Sequence, residues 1–138
     1  MTMKWLCAFT TGAAMMIAGV ANAAPAPASV PSMQALHQLE PGQWELRERG
    51  EGGEVRRLCA ADLEQLLQFR HGRASCKRFI VSDTQRELVV TYDCGAAGSG
   101  RTALRTETSR LAQIQAQGIA DGAPFEMALE ARRVGICR

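Results

Sequence analysis

The stretch from Cys76 to Cys94 constrains this chain most. It reads CKRFIVSDTQRELVVTYDC. Phe79-Ile80-Val81 and Leu88-Val89-Val90 are β-rich runs, and the polar Ser82-Asp83-Thr84-Gln85 lies between them. Branched and aromatic residues suit a pleated, half-buried surface, and a Ser/Asp/Thr cluster suits a reversal. The expectation is a hairpin with a cysteine at each end. Cys59 and Cys137 lie outside it.

The chain opens with Lys4, then an uncharged apolar run through Val20, then Ala21-Asn22-Ala23. A positive start, a short apolar centre and a small-x-small end describe a secretory signal peptide. Residues 1–23 are read as that signal, cut between Ala23 and Ala24. The run from Trp5 to Ala24 approaches the length of a membrane span. Its Gly, Thr and Ala content and the Ala-x-Ala site favour cleavage over a retained anchor, so no stable membrane span is expected afterwards. Cys7 leaves with the signal. Of 138 residues, 115 remain, enough for one domain, and the net charge falls from +2 to +1 with Lys4. Such a balance gives no electrostatic reason to seek nucleic acid or anionic lipid. The expected location is the periplasm or the exterior.

Four cysteines then remain: Cys59, Cys76, Cys94 and Cys137. An even number in a small exported chain reads as disulfides. No Cys-x-x-Cys occurs, and His71 stands alone between Cys59 and Cys76, so no metal or other cofactor is expected. Sequence leaves the pairing open. The favoured expectation is Cys59–Cys76 with Cys94–Cys137, which pins a helix across its own loop. The rival, Cys76–Cys94 with Cys59–Cys137, closes the hairpin.

Residues 24–40 form a Pro/Ala-rich leader, in which Met33, Leu36 and Leu39 suit one helical turn. Pro41-Gly42 opens the domain, residues 41–138. Gln43 to Arg49 alternates, with Trp44 and Leu46 on one face, and Glu54 to Cys59 returns after the glycine-rich Gly50-Glu51-Gly52-Gly53. Leu63, Leu66 and Leu67 fall at helical spacing, so Ala60–Arg70 is read as a helix of two to three turns. Beyond the cysteine-bounded hairpin, Arg101–Thr108 reads as a strand. Leu111–Gln117 has helical composition but only two turns' length before Gly118, and is read as a strand. Phe125 to Arg132 alternates, with Phe125, Met127, Leu129 and Ala131 on one face. The fold class expected is mainly β: an antiparallel sheet curled as a sandwich or open barrel, with one short helix and two disulfides.

The order Pro41-Gly42-Gln43-Trp44-Glu45, Cys59-Ala60-Ala61-Asp62-Leu63, the Cys76/Cys94 hairpin and a closing Arg132-Arg133-Val134-Gly135-Ile136-Cys137 resembles the bacterial exported domain-of-unknown-function family 3617. The resemblance covers residues 41–137. The chain has Ala60-Ala61 where that family commonly has Thr-Pro, and lacks its methionine- and threonine-rich later strands. The resemblance implies envelope location and a four-cysteine β domain, and no activity.

Catalysis needs a nucleophile, base or metal held in place. Only His37 and His71 supply imidazoles, and Gly98-Ser99-Gly100 lacks the spacing of a nucleophile elbow or a phosphate-cradling loop. No enzyme activity is expected. The expected role is structural or partner-binding, toward an envelope protein. The alternative is an apolar or lipid-like ligand inside the curled sheet, walled by Trp44, Phe79, Tyr92, Phe125, Met127 and Leu129.

Overall fold

A computed structural model describes residues 32–138 of the chain. The signal expected over residues 1–23 and the first part of the leader lie outside the described residues.

Seven strands build one antiparallel sheet: β1 (Gly42–Glu48), β2 (Val55–Ala60), β3 (Lys77–Asp83), β4 (Glu87–Asp93), β5 (Gly98–Thr108), β6 (Leu111–Ala120) and β7 (Ala123–Gly135). Their order across the sheet is β2-β1-β7-β6-β5-β4-β3, so β2 and β3 are the two free edges. The sheet curls without closing, which is the open-barrel form of the expected fold. The alternating runs all become strands, Leu111–Gln117 included.

Register stacks the apolar positions into rows along the concave face. Leu88, Leu104, Ile114 and Leu129 are successive cross-strand partners on β4, β5, β6 and β7, and each is at most 2% exposed. A second row runs Val90, Thr102, Ala116, Met127. Fully burying a leucine or isoleucine side chain is worth about 1.5–3 kcal/mol. A one-residue slip of any strand would turn its share of these rows to solvent, so the rows hold the register.

Two segments fill the concavity. The first is residues 32–40, whose one-turn helix α1 (Gln34–His37) buries Ala35, Leu36 and nearby Leu39. Asp83 receives the backbone N–H groups of Ser32 (3.0 Å) and Gln34 (2.8 Å), and Thr106 Oγ1 donates to Ala35 O at 2.7 Å. The helical turn expected in the leader thus packs on the sheet and supplies part of the core.

The second segment, residues 61–76, is a strap that carries the chain from edge β2 to edge β3. It contains a single 3-10 turn, Leu63–Leu66, capped by Asp62, which accepts from Glu64 N at 2.9 Å. This corrects the helix expected over Ala60–Arg70. Four consecutive residues, Leu66, Leu67, Gln68 and Phe69, are buried. A helix buries a stripe, not a continuous run, so the strap abandons helix to turn all four inward. Gln68 makes the burial affordable. Its amide donates to Gly72 O (3.0 Å) and Ala74 O (2.9 Å), and its oxygen accepts from Arg78 (2.7 and 3.2 Å). Arg78 also pairs with Glu64.

The disulfides are Cys59–Cys137 and Cys76–Cys94, with Cα separations of 5.3 and 4.1 Å. This overturns the favoured pairing and matches its rival. The reason is register: Lys77 pairs with Asp93, so the next residues outward, Cys76 and Cys94, stand opposite one another. Cys59 lies on β2, at the other edge of the sheet order. Each end of the strap is therefore tied to the sheet instead of to the other end. Disulfides persist in oxidising compartments, and two of them mark this as a protein of such an environment.

Candidate functional site

The six residues proposed as a ligand wall do not enclose a common space. Trp44, Tyr92 and Leu129 are buried in the core, and Phe125 and Met127 pack half-buried against it. Phe79 points the other way. It pairs with Thr91 on the convex face and is 64% exposed. The void among Leu46, Phe69, Met127 and Leu129 is about 10 Å³, at the lower limit for a single water. A ligand pocket needs roughly 300 Å³ or more.

An open hollow of about 750 Å³ lies where β4–β7 run side by side at Gly100 and Gly118. Tyr92, Gly100, Gly118 and Phe125 are successive partners in one row. A Cβ on Gly100 would sit 2.5 Å from the Tyr92 hydroxyl, so the glycine makes room for the ring. Around it stand Thr91, Ser99, Arg101, Gln117, Ile119 and Glu126.

Behind this hollow lies His71, at the end of the strap. Its ring meets Tyr92 edge-on at 5.2 Å between centroids and lies 6.0 Å from Phe125. Arg70 stacks over Phe125 at 5.6 Å. His71 Nε2 is 2.8 Å from Ile119 O. A carbonyl only accepts, so the ring N–H at Nε2 donates to it. Nδ1 is buried and makes no hydrogen bond, as is true of Arg70 Nε. Burial raises the Tyr92 phenol above its ordinary range, against the lowering effects of the nearby Thr102 side chain and the Arg70 charge. It stays neutral at physiological pH. His71 donates from Nε2 to the Ile119 carbonyl. Here it pins the strap to β6. From the sequence, His71 stands alone between Cys59 and Cys76, with nothing to mark these neighbours.

Among the described residues, no group of three or more His, Cys, Asp or Glu side chains is placed to hold a metal ion. No helix among them is long and apolar enough to cross a membrane. Among the described residues, the exposed large apolar side chains are Phe79 and Val81 on β3, Ile119 on β6, Val55 on β2, and Val134 and Ile136 near Cys137. Comparison with family models, with curated proteins and with solved structures gave no match.

Proposed function

We propose that this chain is an exported cell-envelope domain, periplasmic or secreted, that acts by contact and not by catalysis. It is read as a member of the exported family its sequence resembles, with its signal removed before Ala24. The filled concavity carries this reading. Strap and α1 occupy the space where a curled sheet would hold a ligand, and the void among Leu46, Phe69, Met127 and Leu129 is about 10 Å³. Recognition then falls to the outside, where Phe79, Val81 and Ile119 stand exposed. The alternative, an apolar ligand within the sheet, would require the strap to lift and give up the buried Leu66, Leu67 and Phe69.

A melting scan with a panel of fatty acids and phospholipids tests the choice. A ligand bound only to the folded form raises Tm. No shift is expected. A rise of several degrees that is lost in Trp44→Ala would overturn the contact reading in favour of the interior ligand. Intact mass of protein taken from the native envelope checks export, with Ala24 expected as the first residue.

A further inference from the structure

The two disulfides occupy different environments. Cys76 and Cys94 are half-buried and pack against the core cluster, and Cys76 lies 3.3 Å from Ala74 O. Cys59 is exposed on an edge strand, and Cys137 lies two residues beyond β7. Gln43 is the cross-strand partner of both Cys59 and Gly135, so this bond reaches across β1 at its start.

A hollow of about 560 Å³ adjoins the bond, lined by Gln43, Arg57, Val134, Gly135, Ile136 and Arg138. Ile136 is 73% exposed and Val134 is 50% exposed. Arg57 precedes Cys59 by two residues and so shares its face of β2. It keeps one carboxylate, Glu45, at 3.6 Å. Arg138 makes no ion pair among the described residues. Access and nearby cationic side chains are what speed thiol–disulfide exchange, because a stabilised thiolate leaves faster.

We infer that Cys59–Cys137 is an exchange site for a dithiol oxidoreductase, with Cys76–Cys94 as the inert staple. A thiolate of the oxidoreductase attacks Sγ of Cys59, the more exposed cysteine. The Sγ–Sγ bond breaks, a mixed disulfide forms at Cys59, and Cys137 leaves as a thiolate beside the arginine-lined hollow. The second thiol of the oxidoreductase then attacks the mixed disulfide and closes its own disulfide, releasing Cys59. Two electrons pass to the protein, and the two thiol protons end on Cys59 and Cys137. The exposed Ile136 and Val134 give the oxidoreductase its apolar footing. Exchange frees the β2 end of the strap, and Cys76 keeps the other end fixed.

The test is a pulse-alkylation time course with dithiothreitol, read as initial rates by peptide mass mapping. Cys59 and Cys137 should be labelled at least about tenfold faster than Cys76 and Cys94. The gap should close in concentrated guanidinium, where the fold no longer protects either bond. Equal native rates, or faster labelling of Cys76 and Cys94, would overturn the inference. In a second arm, thioredoxin with its resolving cysteine replaced by serine should be trapped on Cys59. An adduct on Cys76 or Cys94 would overturn it as well. Ile136→Ser should slow capture by this protein several-fold and leave the dithiothreitol rate unchanged. Capture at the wild-type rate would remove the apolar footing from the proposal.

Discussion

Truncating Trp44 measures how firmly the concavity is filled. Its side chain is 0% exposed, and its indole N–H donates to Glu40 O at 3.2 Å. A tryptophan buries about 150–250 Å². At about 25 cal/mol per Å² this is worth roughly 4–6 kcal/mol, an upper bound because the unfolded chain already hides part of that surface. Measured Phe and Trp truncations in cores cost about 3–5 kcal/mol. Trp44→Ala should therefore cost about 4 kcal/mol, a large share of a total stability of about 5–15 kcal/mol. The assay is urea unfolding followed by far-UV circular dichroism, with a lower midpoint expected at unchanged slope. Trp44→Phe keeps an aromatic ring and loses the N–H, leaving the Glu40 carbonyl to find another donor. It should fall between, at about 1–3 kcal/mol. Phe79→Ala, on the convex face, should stay within about 0.5 kcal/mol of the parent. If Trp44→Ala and Phe79→Ala cost the same, the assignment of inner and outer faces is wrong.

Hydrogen bonds from Ser109 and Arg110 hold the Glu40 carboxyl below its ordinary value of 4.5, with the Arg110 and Arg133 charges adding to the effect. A depressed carboxylate contributes stability above its unfolded pKa and loses it as pH falls through the folded one. The Tm gap between parent and Glu40→Gln should thus be present at neutral pH and shrink below about pH 4.5. A gap that grows on acidification would reverse that assignment. Gly100→Ala would place a methyl 2.5 Å from the Tyr92 hydroxyl. It should cost about 1–3 kcal/mol by overpacking, whereas Gly52→Ala, in open space at φ +70°, tests backbone strain alone.

The strands were legible because alternation is local. Trp44 and Leu46 announce β1, and the Phe125, Met127, Leu129 series announces β7, without reference to any neighbour. The strap was not. Its Leu63, Leu66 and Leu67 carry helical spacing, but the sheet offers a concavity that also takes Gln68 and Phe69, and burial overrides a short helical pattern. Phe79 misled for a related reason. In a hairpin the alternation shows that Phe79 and Ile80 face opposite ways, and only the register with β4 shows which way is inward. The disulfide pairing failed through emphasis. The run itself places Cys76 opposite Cys94, but the expectation gave more weight to pinning a helix that does not form. The His71 cluster was illegible, because its partners Tyr92, Ile119 and Phe125 come together only across three strands.

The route of the covalent chain bears on what a protease could do to this fold. Gly72 and Arg73 are exposed on the strap, and Arg86 is exposed in the β3–β4 turn. A cut after Arg86 leaves the two pieces joined by both disulfides, because Cys59 and Cys76 fall on one side and Cys94 and Cys137 on the other. A cut after Arg73 leaves Cys76 and Cys94 on the same piece, so Cys59–Cys137 alone connects the fragments. Hydrolysis there would add one water to the mass and leave a single band on a non-reducing gel. The disulfide at the exposed β2 edge would then decide whether a clipped copy is still one molecule or two.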